Sequence, residues 1–345
     1  MANHLFLAST PLNVLTAAMV AFELPNGDSA ELGLIDQTST TSVFREALAQ
    51  WDSSPFKRIQ VLSEKAEGKG KRQQRLTSFK LIEKILTEVC PNWIYTGNDR
   101  RIEFQFAMAH SPASKGVYLD DGTYSYIGRQ THWLKDQILD QWVKKLAYGH
   151  WWKQPPAIGA SAWIHHSILA FPELALPILK RKPYESLPKN LQRPEFTQLS
   201  ELCLNQQPLT LGNLSGLLLL SHSSTISSAN QAQLGYWLEQ CGEDIGYKHH
   251  PRTELELQSE DAANSIWHLP LRARAIPAAI PMEILLPLLP QHCKIAGDIS
   301  TALLTAKWLR PELDVTAIVR SDADHNWIQL LKQLGINLIN NPSSN

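Results

Sequence analysis

Short apolar runs alternate with helical patterns through the first half of the chain. The runs are His4–Ala8, Glu31–Ile35, Ile59–Leu62, Trp93–Tyr95 and Val117–Leu119. Alternation of this kind predicts parallel strands with helices between them. The opening segment reads as a β-loop-α unit: His4–Ala8 a buried strand, Ser9-Thr10-Pro11 a turn, Leu12–Leu24 a helix. Leu5 to Phe22 carries no charge, but no Lys or Arg precedes it and Pro11 and Asn13 interrupt it. Neither a signal peptide nor a membrane span is therefore expected there. The clearest helix is Leu76–Val89, where Leu76, Phe79, Ile82, Leu86 and Val89 recur at spacings of three and four and Pro91 follows the end.

Between Pro155 and Pro208 eight prolines, at 155, 156, 172, 177, 183, 188, 194 and 208, loosen the pattern and predict irregular crossings and an interdomain connection. A second alternating series follows. It comprises strand Leu217–Leu220, helix Asn230–Cys241, strands Ile245–Lys248 and Ala275–Pro277, helix Met282–Leu289, strand Lys294–Gly297, helix Thr301–Leu309, strand Val315–Val319 and helix Trp327–Leu334. A length of 345 residues suits two domains of ~150 each. The expected division is 1–205 and 206–345, two Rossmann-like halves facing each other across a cleft. No short-period repeat or low-complexity tail is present.

Composition narrows the class. With 43% hydrophobic and 19% charged residues and a net charge of −1, the chain is neither disordered nor collagen-like nor a strongly basic nucleic-acid binder. Cys90, Cys203, Cys241 and Cys293 lie far apart with no CxxC pair. That pattern signals neither a zinc ribbon nor a disulfide scaffold, and it suits a reduced, cytosolic protein. The basic run Lys69–Arg75 reads as a solvated lead-in to the helix after it. Of 11 tryptophans, five fall at 133, 142, 151, 152 and 163, and Trp133, Leu134, Ile138, Trp142, Val143, Leu146 and Ala147 form one apolar face. The plain reading of that face is a helix packed in the core. The functional readings are a platform for a sugar acceptor or attachment to an anionic membrane surface.

Three short motifs carry candidate chemistry. The first is Asp120-Asp121-Gly122, two carboxylates at the end of a strand. Adjacent acids there can differ in proton affinity, leaving one suited to take a proton from a hydroxyl. An Asp-Gly turn with an Asx cap is the plain alternative. The second is Lys248-His249-His250-Pro251-Arg252, a positive neighbourhood in which an imidazole can serve a phosphate or a leaving group. Consecutive histidines point to different sides of an extended chain, so joint metal ligation is not expected. The third is Ser300-Thr301, where a strand gives way to a helix whose terminus can hold an anion or simply be capped. Asp322-Ala323-Asp324 is read as helix capping rather than a metal clamp, with Ser321 or Asp322 at the start. Glu283, after Pro281, fits a negatively charged first turn and is also a candidate partner for a ribose hydroxyl.

In this order the motifs resemble those of the bacterial sialyltransferases, particularly the capsular polysialyltransferase and lipooligosaccharide sialyltransferase families, which share an acid-acid-Gly, a His-Pro and a Ser-(Ser/Thr). Ser9-Thr10-Pro11-Leu12, Gly97-Asn98-Asp99-Arg100 and Ile280-Pro281-Met282-Glu283 also look like these families. The resemblance implies a GT-B architecture, with the acceptor and catalytic base on the first domain and the CMP-sugar on the second. It implies inverting transfer of sialic acid or a related nonulosonic acid to a hydroxyl of a capsule or lipooligosaccharide glycan, with no metal and no other cofactor. Asp120 would be the base by analogy, with Asp121 and Gly122, and the turn of Thr10 and Pro11, shaping the loop. Because the assignment rests on the Asp-Asp-Gly core alone, Asp121 is the other candidate base. His250 would meet the CMP phosphate and act as acid or electrostatic stabiliser, with Pro251, Lys248, Arg252, Glu283, Ser300 and Thr301 completing the donor site. No extended basic groove is evident, so transfer of one or a few residues is expected rather than processive synthesis. The implied location is cytoplasmic, peripheral on the inner face of the membrane, with no nucleic-acid partner.

The rivals are a transferase using CMP-Kdo or a UDP-sugar, a non-catalytic nucleotide- or glycan-binding protein of the same fold, and a metal-dependent hydrolase built on Asp120, Asp121, His249 and His250. Spacing places no third ligand for the last of these.

Overall fold

The computed structural model describes residues 1–37, 42–65, 71–128, 140–204, 211–220, 228–249, 269, 273–277, 279–319 and 323–340. It divides into two compact units, Met1–Asn190 and Leu191–Asn345.

Unit 1 is built on a seven-stranded sheet whose paired strands all run parallel, in the order β3-β2-β1-β4-β5-β6-β7. The strands are β1 Asn3–Ala8, β2 Ser29–Leu34, β3 Arg58–Val61, β4 Trp93–Thr96, β5 Lys115–Leu119, β6 Ile164–Leu169 and β7 Tyr184–Ser186. The helices are α1 Pro11–Ala21, α2 Ser42–Ala49, α3 Lys71–Val89, α4 Ile102–His110 and α5 Asp140–Tyr148. Thr10 caps α1 by accepting the Asn13 N–H at 3.2 Å, and Pro11 occupies the first turn, where its fixed φ costs nothing. Leu12 through Ala21 are all buried, so α1 is enclosed on every side. It ends three residues short of the expected Leu24, with Phe22 as the cap and Pro25 following.

Other boundaries moved for physical reasons. The straight-chain residues Lys71–Arg75, read as a lead-in, form the first turns of α3. The proline-rich stretch expected to be irregular holds β6, β7 and a further helix, α6 Pro194–Leu204, in which the proline starts the helix rather than forbids one. Helix α4 went unforeseen because Ile102-Glu103-Phe104-Gln105-Phe106 alternates with a period of two, and all five are buried. Within α5, Val143 and Leu146 are 63% and 92% exposed, so the core reading of that face is corrected. Trp133, Leu134 and Ile138 lie outside the described residues.

Unit 2 carries a six-stranded parallel sheet in the order β10-β9-β8-β11-β12-β13. Its strands are β8 Gly216–Leu219, β9 Ile245–Lys248, β10 Arg274–Ile276, β11 Lys294–Asp298, β12 Asp314–Val319 and β13 Asn337–Asn340. Its helices after α6 are α7 Ser228–Cys241, α8 Met282–Leu285, α9 Thr301–Leu309 and α10 His325–Gln333. The expected helix Met282–Leu289 is instead a single α turn followed by a 3₁₀ turn, Leu286–Leu288, around Pro287, which has no N–H to give. Helix α6 packs on α8 and this 3₁₀ turn, which is why it belongs to unit 2 although a division at 205/206 assigns it to the first domain. Leu218, Trp237, Cys241, Ile245 and Tyr247 form the core between α7 and the sheet.

The order in which strands are added reverses once in each sheet, between β1 and β4 in unit 1 and between β8 and β11 in unit 2. Crevices outside the carboxyl ends of the strands at such points are where open α/β sheets bind ligands. In unit 2 the pairing there is tight: a Cβ added at Gly297 would lie 2.8 Å from the Leu219 Cβ and 2.9 Å from its carbonyl oxygen. Gly297→Ala should therefore lower stability by about 1–3 kcal/mol, read as a lower urea midpoint for the unit 2 transition.

Candidate active site at the carboxyl ends of the strands

Asp120 follows β5 directly and is 2% exposed. Its carboxylate accepts from the Gly122 N–H at 2.9 Å, the Ser125 hydroxyl at 2.8 Å, the Ala170 N–H at 2.8 Å and the Tyr126 hydroxyl. Burial raises the proton affinity of this acid and the surrounding donors oppose that rise. With two donors on each oxygen, Asp120 is enclosed and committed to holding the loop. Gly122 has φ +86°, a conformation side chains rarely adopt, and so permits the turn at this point.

Asp121 is placed differently. It remains partly exposed although densely surrounded, and burial pushes its pKa up to about 7. The Asn13 amide donates to its Oδ1 at 2.9 Å, and the Arg101 charge and the Asn98 side chain also favour the ionised form. The charge of Asp120 opposes them. Asn13 follows β1, and Asn98 and Arg101 follow β4, the two strands at the reversal point, while Asp120 follows the neighbouring β5. Asn13 stands one turn into α1, its Oδ1 accepting from Ser9 Oγ at 3.1 Å. Gly97 after β4 leaves room for Asn13, whose amide group would collide with any Cβ there. Arg101 bonds Asp36, which follows β2 with φ +52° and donates its N–H to Ser63 Oγ at 2.7 Å.

The loop carrying Asn98 and Arg101 is anchored by Asp99, which is fully buried and accepts the N–H groups of Gly159 at 2.9 Å and Ser161 at 2.7 Å. Burial lifts its pKa to about 6, against those bonds and the nearby Lys182 charge. Gln105 adds a second clasp, donating to the Asp99 and Lys153 carbonyls and accepting from the Lys153 N–H.

In unit 2, Lys248 at the end of β9 is 7% exposed and donates to the Pro277 carbonyl at 3.2 Å. Glu283, in the first turn of α8, has its proton affinity raised by burial and lowered by the Lys248 charge. His249 is partly exposed, its ring edge-on to Tyr247 at 5.4 Å. His250, Pro251 and Arg252 lie outside the described residues, as does Asp322. Ser300 is the N-cap of α9 with extended backbone, but its side chain makes no capping hydrogen bond, and Thr301 is the first helical residue. The cap of α10 is Asp324, which accepts from the Asn326 N–H at 2.8 Å, in place of the expected Ser321 or Asp322. Among the described residues no group of three His, Cys, Asp or Glu is placed to hold a metal.

The structure thus brings Asp120, Asp121, Gly122, Thr10 and Pro11 together in unit 1, and Lys248 and Glu283 together in unit 2. Asn13, Asn98, Arg101, Asp36 and Asp99 join the first group without having been singled out as site residues. One signal for Asn13 was available: an amide inside an uncharged, otherwise largely apolar helix must find a partner.

No protein-family model matches the chain, and no curated protein matches it. Solved structures do. The UDP-GlcNAc 2-epimerase of Neisseria meningitidis bound to UDP-GlcNAc superposes with a TM-score of 0.57 at 10% identity, over 98% of this chain and 87% of that one. A putative UDP-N-acetylglucosamine 2-epimerase from Listeria monocytogenes gives 0.53 at 9% identity, over 99% and 84%. The glycotransferase of kitacinnamycin gives 0.53 at 7% identity, over 100% and 87%. The likeness shows a GT-B fold of two Rossmann-like domains.

The two adjacent acids should separate cleanly on substitution. Asp120→Ala leaves two N–H groups and two hydroxyls without their buried acceptor and should cost about 3 kcal/mol or more. Asp121→Asn should do the opposite above neutrality. A carboxyl whose folded pKa is raised loses stability as pH rises from its unfolded value of about 3.9 to its folded value of about 7. Removing it should therefore raise Tm at pH 8 and change little at pH 4, measured by scanning calorimetry at both pH values.

Proposed function

We propose that the protein is an inverting, metal-independent glycosyltransferase that moves sialic acid or a related nonulosonic acid from a CMP-activated donor to a hydroxyl of a bacterial surface glycan, capsule or lipooligosaccharide. The observation that carries the reading is Asp121, a partly exposed residue just after β5 whose carboxylate accepts the Asn13 amide at 2.9 Å and whose pKa burial pushes up to about 7. That is what a general base for a sugar hydroxyl needs. Asp120, enclosed by its four donors, serves as the fixed support for that base. The choice of CMP-sialic acid rests on the Asp-Asp-Gly, His-Pro and Ser-Thr motifs.

In the proposed reaction Asp121 takes the acceptor proton as the hydroxyl oxygen attacks the anomeric carbon from the face opposite CMP. Loss of CMP spreads positive charge over the sugar and builds negative charge on the phosphate. The amino terminus of α9, with the Ser300 hydroxyl outside the capping bond, offers donors and a favourable dipole to that phosphate. Lys248 and Glu283 suit the nucleotide, and His250 is assigned to the phosphate on its motif alone. The setting that goes with such an acceptor is the inner face of the cytoplasmic membrane.

A UDP-sugar donor is the second reading, favoured by the fold's likeness to a structure bound to UDP-GlcNAc. Release of CMP from CMP-sialic acid, measured with EDTA present and with a panel of galactoside and sialoside acceptors, tests the first against the second. Acceptor-stimulated release is expected, and UDP release from UDP-GlcNAc in its place would transfer the donor assignment. Asp121→Asn should lower kcat by ~10²–10⁴. The kcat limb should rise with pH through about 7, as Asp121 ionises, and Asn13→Ala should move that limb to higher pH because it removes a bond to the ionised form.

A further inference from the structure

Helix α5 turns its apolar side outward. Val143, Leu146 and Ala147 lie at spacings of three and four and therefore share one side, with Val143 63% and Leu146 92% exposed. Ala147 lines the mouth of a cavity of about 470 Å³, across which α3 presents Leu76, 43% exposed, and Lys80. Tyr148 and Trp151 form its aromatic wall, and Arg75 of α3 is bound to the Tyr148 hydroxyl at 2.9 Å, which fixes the two helices together at this rim. Aliphatic side chains so exposed are uncommon elsewhere in the molecule: beyond α3 and α5, Met1 and Val61 are the large aliphatic ones among the described residues.

The two segments that carry this face are also basic in sequence. Residues 71–84 and 140–153 together hold eight Lys and Arg against two acids, an excess of six positive charges in a chain whose net charge is −1. Protruding aliphatic groups, aromatic rings with a polar tip, and an excess of cations complement one kind of surface. A bilayer rich in anionic phospholipid offers headgroup phosphates to the cations and the acyl boundary to the leucines.

We infer that the face formed by α5 and the facing side of α3 seats unit 1 on an anionic membrane surface, with Val143 and Leu146 entering the headgroup–acyl boundary. The inference concerns a surface, not the reaction, and stands whether or not the donor is CMP-sialic acid. The contact lies on the aliphatic side of α5 and not on Trp152, which is buried beneath Lys144.

The test is co-sedimentation of the full chain with phosphatidylglycerol/phosphatidylcholine vesicles and with phosphatidylcholine alone. Binding is expected to the anionic vesicles only. The double variant Val143→Ser, Leu146→Ser should bind at least ~10-fold more weakly with an unchanged melting temperature, because both side chains are exposed. Lys80→Glu with Lys84→Glu should weaken binding about 25-fold or more, at roughly fivefold per lost charge. No sedimentation of the wild-type chain with anionic vesicles would overturn the inference, as would equal binding by the serine variant. Sedimentation velocity showing a wild-type dimer that the serine variant loses, without any effect on vesicle binding, would overturn it too and assign the face to a second copy.

Discussion

The buried carboxylate of Asp120 is the tie on which the candidate site depends. It gathers the ends of β5 and β6, the turn at Gly122 and the hydroxyls of Ser125 and Tyr126 onto one pair of oxygens. Enclosing an acid is costly unless its oxygens are fully bonded, and here both are. The consequence is positional. With Asp120 held inward and Gly122 turned by its positive φ, the residue between them is left partly exposed beside Asn13.

Two neighbouring acids therefore do different work because of what surrounds them, not because of what they are. Asp120 is saturated and Asp121 is contested: burial and its neighbour's charge favour the proton, while Asn13, Arg101 and Asn98 favour its loss. The groups on the second side are held by their own buried acid, Asp99, through bonds to Gly159 and Ser161. A site assembled this way stores unfavourable electrostatics inside a fold that is stable for other reasons, chiefly the apolar strands beneath it.

How much of this was legible in the sequence follows from the range of each signal. Strand β9 and helix α9 were readable to the residue, because a short segment with Ile and Tyr two apart after the polar turn 242–244, or a hydroxyl before a helical pattern, is local information. Helix α4 was not, because buried on nearly all sides it loses the 3.6 period and shows a strand-like alternation instead. The Asp-Asp-Gly motif was visible, but which acid is enclosed was not. That is decided by the Ala170 N–H, 50 residues away in sequence, and by the way Tyr126 folds back. Nor could the proline-rich stretch be resolved, since a proline at a helix start and one in a loop look alike without the contacts that follow.

The margins of the first sheet are narrow. Strand β3 at one side has four residues and β7 at the other has three, all of the latter exposed and carrying Glu185 at their centre. An added strand from another molecule would find few free N–H and carbonyl groups to pair with on either side, and on β7 a carboxylate among them. Open parallel sheets are templates for their own stacking into aggregates, and trimming both borders removes the template. Trimmed in this way, the first sheet gives a second sheet little to grow on at either border, even in a crowded solution.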